Sequence, residues 1–241
     1  MSKTGDNIES ENANWKFSGN VVKEFESHVS KSVPIYNRGH ELIIKFSDFF
    51  IKNDSLVYDI GCSTGKLLID LVKHNKNKPK SKFIGLDVEK DMINYAKENQ
   101  EKNKINNSKL QFLNENAVTF EYQRNDFVIS YFTIQFIHPK HRQGLISKIY
   151  ESLEWGGAFL FFEKVRYNDA RFQDIFTTLY NDYKLEMGYS HEEILNKTRS
   201  LKGVMEPFST NGNLDMLKRA GFKDISTVIK DICFQGFIAI K

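Results

Sequence analysis

Cysteine is nearly absent from the 241-residue chain, which carries only Cys62 and Cys233. So few exclude a disulfide framework and a cysteine-built zinc site, and they favour a reducing compartment. No apolar run reaches the ~18–20 residues that a membrane-spanning helix needs. The start, Met1-Ser2-Lys3-Thr4-Gly5-Asp6, leads into a polar stretch without a signal-peptide core, so a cytoplasmic protein with no membrane partner is expected. The six histidines show no His-Glu-x-x-His spacing, and no metal is expected. Neither sign of charge dominates: 34 Lys+Arg against 31 Asp+Glu leave +3, too little for a surface that coats nucleic acid. What the chain does have is apolar content, 40% hydrophobic and 13% aromatic, enough for a substantial core.

Residues 1–15 are polar and read as a flexible tail, which leaves 16–241 as one domain. Val22, Phe25 and Val29 recur at helical intervals over 21–33, and a second helix is expected over 39–50. Leu56-Val57-Tyr58-Asp59-Ile60 reads as a short buried strand running into Gly61-Cys62-Ser63-Thr64-Gly65 and a helix over 66–74. A strand over 83–87 ends in Asp87 and precedes a helix over 91–102. Strands at 110–113 and 126–131, a helix at 140–153, a Trp155-Gly156-Gly157 turn and an apolar strand at 158–162 follow. This alternation predicts a parallel α/β sheet. Two aromatic-rich helices, 169–187 and 191–204, then interrupt it as an inserted helical cap at about 165–212. The cap's Tyr167, Phe172, Phe176, Tyr180 and Tyr183 read as core or dimer surface. The runs 224–230 and 234–240 predict a closing hairpin with an antiparallel last strand.

The chemistry concentrates where the first strand meets its helix. In Asp59-x-Gly61-x-Ser63-x-Gly65, glycine lets the backbone approach a ligand, and the helix amides favour an anionic group. Asp87 ends the next strand, where a carboxylate can accept both hydroxyls of a ribose. Together they point to an adenosine-containing cofactor. The same turn formally matches the Gly-x-Ser-x-Gly nucleophile elbow, but no acid-then-histidine order supports Ser63 as a nucleophile. A dinucleotide site normally presents Gly-x-Gly-x-x-Gly, which this turn lacks. The motif resembles the first motif of class I S-adenosylmethionine-dependent methyltransferases. That resemblance implies that Asp59, Gly61, Cys62 and Ser63 face the methionine part of S-adenosyl-L-methionine, Asp87 the ribose, and Asn116 with Ala117 the adenine.

A longer series of words is similar to bacterial carboxy-S-adenosylmethionine synthases: Ser32-Val33-Pro34-x-Tyr36, Tyr58-Asp59-Ile60-Gly61-Cys62-Ser63, Phe132-Thr133-Ile134-Gln135-Phe136, Gly188-Tyr189-Ser190 and Ala220-Gly221-Phe222. The resemblance implies a Rossmann-like class I methyltransferase fold: α/β, with a mostly parallel seven-stranded sheet, an antiparallel last strand, N-terminal helices and the helical cap. It also implies a homodimer, and a Tyr36 that closes over the cofactor. Two positions depart from the family. After the fourth strand the family has Asn where this chain has Tyr131, a residue placed against both cofactor and substrate. The family Arg that grips the product's carboxylate aligns with Thr198, and Arg199 comes one residue later, a rotation of ~100° on a helix. These departures favour simple methyl transfer to a small-molecule acceptor beneath the cap, with no nucleic acid bound directly. The first alternative is a carboxy-S-adenosylmethionine synthase that takes its carboxylate from prephenate and uses Arg199 as the substrate-binding cation. The second is a non-catalytic S-adenosylmethionine-binding protein. His138 and Glu163, both after strand ends, are the candidate catalytic bases.

Overall fold

The apolar runs assemble as the central layer of the molecule, and the computed structural model describes residues 2–241 of it. A short antiparallel pair, β1 (Ser2–Lys3) and β2 (Glu9–Ser10), is followed by α1 (Val21–Ser32) and α2 (Tyr36–Phe50). Then come β3 (Leu56–Ile60), α3 (Lys66–His74), β4 (Lys82–Asp87), α4 (Lys90–Lys102), β5 (Leu110–Asn114), β6 (Asn125–Tyr131), α5 (Pro139–Ser152) and β7 (Leu153–Lys164). The cap helices α6 (Ala170–Glu186) and α7 (His191–Ser200) precede α8 (Thr210–Ala220), β8 (Asp224–Asp231) and β9 (Phe234–Ile240).

The main sheet has seven strands in the order β5-β4-β3-β6-β7-β9-β8. The first five are parallel, and β9 runs antiparallel to both of its neighbours. Helices cover both faces, so the central strands carry continuous apolar runs rather than an alternation. Ala158, Phe159, Leu160, Phe161 and Phe162 in β7 are all fully buried, and they divide between the two cores on opposite faces of the sheet. The order of strands reverses between β3 and β6, which opens a crevice at their carboxyl ends, the usual ligand position in such sheets.

Two expectations are corrected. Residues 2–15 are folded rather than a loose tail: Ile8 and Trp15 are buried, and the segment lies along α7. Asn196 Nδ2 donates to the Lys3 carbonyl at 3.1 Å, and the Ala13 and Trp15 amides donate to the carbonyls of Arg199 and Ser200. A polar average conceals two apolar anchors. The Trp155-Gly156-Gly157 turn is instead part of β7, whose pairing with β6 slips between Asn125 and Phe127. The Gly156 amide still finds a partner, the Lys241 carbonyl at 2.8 Å.

Candidate functional site

The floor of the crevice is acidic and is held by backbone amides. Gly61 sits at φ +73°, and a Cβ there would run into the Thr133 side chain, so glycine answers both conformation and space. The Gly61 and Cys62 amides donate to the Leu86 carbonyl at 2.7 and 3.0 Å, tying the turn to β4. Asp87 accepts from the Ser63 amide on Oδ2 and from the Glu89 amide on Oδ1, both at 2.9 Å. Each oxygen keeps a further lone pair for a hydroxyl donor. Burial pushes the Asp87 carboxyl upward. Asp59 is 1% exposed, and burial together with Asp87 raises its carboxyl to about 8. Its Oδ1 has no hydrogen-bond partner among the described residues. A buried carboxyl oxygen left unpaired is costly, and an ammonium group is the complement it lacks. The α-amino group of S-adenosylmethionine supplies one, so the residues present fit that cofactor.

Above the floor stands an aromatic wall. The Tyr36 hydroxyl donates to Glu26 Oε2 at 3.2 Å, and the Thr64 hydroxyl donates to Glu26 Oε1. Half-buried Glu26, raised by burial, therefore bridges the glycine turn to α2. The Tyr131 hydroxyl donates to the backbone carbonyl of Tyr36. Its ring lies 5.2 Å from that of Tyr36 and 5.1 Å from that of His40. This seat exists because residue 39 is glycine: a Cβ there would strike the Tyr131 hydroxyl and come within 3.0 Å of Phe162.

The same cavity, about 750 Å³, continues from the glycine turn to a basic wall under the cap. Lys164 from the end of β7, Lys184 from α6 and Lys197 from α7 line it. The Lys164 and Lys184 ammonium groups each stand 4.3 Å from the centre of the Tyr180 ring. Lys197 Nζ donates to Ser32 Oγ at 3.0 Å and to His28 Nε2. None of the three forms an ion pair with a carboxylate among the described residues. Burial and then the neighbouring lysine lower Lys184 to about 8 and Lys197 to about 7, and burial lowers Lys164. Three clustered, unpaired cations are a costly arrangement that an anion relieves.

The structure brings Tyr36, Asp59, Gly61, Cys62, Ser63, Asp87, Asn116, Ala117 and Tyr131 to this one cavity. It does not bring His138, Glu163 or Arg199 into the lining of that cavity. His138 is exposed and caps α5, its Nδ1 accepting from the Lys140 amide at 3.3 Å. Glu163 is 2% exposed and accepts from the Ile134 amide at 3.0 Å, with burial lifting its carboxyl to about 8. It supports the turn at Ile134–Phe136 from beneath rather than facing the cavity. Arg199 is exposed outside the lining, and Thr198 lines the cavity beside Lys197. Phe176 and Tyr180, read as core or dimer surface, line the cavity too. Sequence reasoning missed Glu26, Lys164, Lys184 and Lys197. The spacing of Tyr180 and Lys184, one helical turn apart on an aromatic-rich helix, is the signal that marks one of them.

A switch-point crevice with a glycine turn, an unpaired buried acid beneath it and a carboxylate ending the next strand defines an S-adenosylmethionine-dependent methyltransferase fold. Residues 57–157 match the family model described as a methyltransferase domain. Among solved structures, a SAM-dependent methyltransferase from Aquifex aeolicus aligns with a TM-score of 0.61 at 17% identity, covering 93% of this chain and 99% of its own. Magnesium protoporphyrin IX methyltransferase from Synechocystis, solved with bound SAH, aligns at 0.65 and 11%, covering 93% and 96%. These likenesses bear on the fold. Over the whole length, the chain is 36% identical to carboxy-S-adenosyl-L-methionine synthase of Staphylococcus epidermidis across 231 residues, 94% of this chain and 97% of the relative. The chain belongs to the carboxy-S-adenosyl-L-methionine synthase family. It is a transferase, and its cofactor is S-adenosylmethionine.

Proposed function

We propose that the chain uses S-adenosylmethionine together with a carboxylate-bearing second substrate, and that its reaction is the carboxylation of the cofactor for which its relatives are named. The observation that carries this reading is the basic wall: Lys164, Lys184 and Lys197 share one cavity with the glycine turn, and none forms an ion pair with a carboxylate among the described residues. When bound, S-adenosylmethionine would supply a methyl group whose C–H bonds the adjacent sulfonium acidifies, so that its carbon can exchange a proton for the carboxyl group released by the second substrate. Asp59 receives its ammonium group, Asp87 its two ribose hydroxyls, and Asn116 with Ala117 flank the adenine. Tyr36 and Tyr131 present aromatic faces to the sulfonium. The lysines hold the substrate carboxylate, and Tyr180, Phe176 and Phe234 exclude water around it. A cytoplasmic setting suits this chemistry and the two free, buried cysteines.

The test is incubation of the purified protein with S-adenosylmethionine and prephenate, followed by mass spectrometry. Carboxy-S-adenosylmethionine is the expected product, and its failure to form would overturn the reading. A second reading, methyl transfer to a small anionic acceptor, is favoured by Tyr131 and Thr198, which stand where the family words have Asn and Arg. We also infer a homodimer through α6, where only Lys184 is buried while Phe172, Ile175 and Leu179 are 53, 52 and 46% exposed on one stripe. Light scattering on Leu179→Glu should then report a monomer.

A further inference from the structure

The N-terminal strap meets the basic wall through one carboxylate. Asp6 lies in the turn between β1 and β2 with its side chain 9% exposed. Its Oδ1 accepts from Lys31 Nζ at 2.6 Å, and its Oδ2 accepts from His28 Nδ1 at 2.8 Å and from the Tyr189 hydroxyl. Burial opposes this charge, yet the hydrogen bonds from Lys31, Tyr189 and His28 outweigh it and hold the carboxyl at about 2. His28 is itself buried, with its ring stacked on Trp15 at 5.6 Å. Burial, and then Lys197, keep its imidazole neutral, at about 3.

A neutral imidazole has one N–H and one lone pair, and the partner of one nitrogen decides the role of the other. The Asp6 carboxylate, an acceptor only, requires the hydrogen on Nδ1. Nε2 is therefore left as an acceptor, and it meets the Lys197 ammonium. Ser32 Oγ takes a second N–H of that ammonium. The third has no hydrogen-bond acceptor among the described residues, the centre of the Trp15 ring standing 5.0 Å from the ammonium, and it belongs to a side chain that lines the cavity beside Lys164 and Lys184. The strap also fixes the backbone from which Lys197 projects, through the amides of Ala13 and Trp15 on the carbonyls of Arg199 and Ser200.

We propose that Asp6 is a positioning residue for the substrate anion: through His28 it sets the place and orientation of the Lys197 ammonium, so the strap governs the preference for a carboxylated ligand. The inference rests on the reading of the lysine wall as the anion compartment. It adds that a residue outside the cavity, in a segment whose composition looks like a tail, decides how well that compartment works.

The experiment is calorimetric titration of the full-length protein with carboxy-S-adenosylmethionine and with S-adenosylmethionine, for the wild type, Asp6→Ala, Asp6→Asn and Lys184→Ala. Asp6→Ala is expected to weaken the carboxylated ligand about tenfold, the loss of one charge-assisted contact, and to leave the affinity for S-adenosylmethionine unchanged, while the loss of its three partners lowers the melting temperature. Asp6→Asn keeps an acceptor for the Nδ1 hydrogen and should restore most of the preference. Histidine ¹⁵N spectra should show hydrogen on Nδ1 of His28 in the wild type and in Asp6→Asn, and its redistribution in Asp6→Ala. Equal loss of both ligands in Asp6→Ala would reduce Asp6 to a structural anchor and overturn the proposal. If Lys184→Ala loses the preference while Asp6→Ala keeps it, the positioning role falls and the anion compartment stands. If both variants keep it, the compartment falls and the positioning role with it.

Discussion

The acidic floor and the basic wall occupy one cavity but are built in different ways. The floor comes from a single stretch of chain, β3 through β4, and its charges are fixed by main-chain amides: Ser63 and Glu89 on Asp87, with the turn tied to Leu86. The wall draws one lysine from each of β7, α6 and α7, steadied by a tyrosine face, a serine hydroxyl and an imidazole. Backbone contacts suit a ligand that never changes, because no side-chain substitution removes an amide. Long side chains on a cap and at a strand end suit a ligand that distinguishes one member of a fold from another, because each can be replaced without altering the backbone ladder of the sheet.

The largest expected effect breaks the floor alone. Asp87→Ala removes two acceptors for the ribose and loosens the turn, so S-adenosylmethionine affinity should fall about a hundredfold or more, counting two charge-assisted hydrogen bonds. Calorimetry reads it directly. Next, pH should separate the two ends by sign. Asp59 sits at about 8 and must ionise to receive an ammonium group. Affinity for S-adenosylmethionine should therefore rise with pH up to about 8, by at most about tenfold per unit, with proton release visible as a dependence on buffer ionisation enthalpy. Lys197 and Lys184, lowered to about 7 and about 8, carry their charge below those values and lose it above them. The additional affinity for a carboxylated ligand should therefore decline as pH rises through the same range. A parallel rise of both affinities would show that the wall does not contact the carboxylate. The smallest effect is structural: Tyr131→Phe removes the hydrogen bond to the Tyr36 carbonyl, about 1 kcal/mol. That should lower the melting temperature by about 2–4 °C for a chain of this size.

The same contrast decides what the sequence discloses. The strand at 56–60, the glycine turn and the helix at 66–74 are legible because one local stretch carries the apolar run, the turn residues and the helical spacing together. Asp59 and Asp87 are legible with them. The lysine wall is not, because Lys164, Lys184 and Lys197 lie far apart in the chain and isolated lysines ordinarily read as solvated. The strap escapes notice because Ile8 and Trp15 are only two anchors in a polar segment, while Asp6 pairs with groups on α1 and beyond it. Glu163 shows the limit of strand-end reasoning. That logic locates a residue along the sheet but not the direction of its side chain, and Glu163 turns inward to an amide. Arg199 follows the helical arithmetic: one step from Thr198 carries it off the cavity and into solvent.

The absent side chain at residue 39 also makes two positions of this pocket interdependent. Tyr131 has room only because Gly39 offers nothing for its hydroxyl to strike, so the two positions are epistatic. A tyrosine arriving at 131 opposite any larger residue at 39 would have met a collision, whereas glycine at 39 opposite a smaller residue leaves only a gap. A smaller residue at 131 would leave a void against Gly39, so neither position can be exchanged without regard to the other.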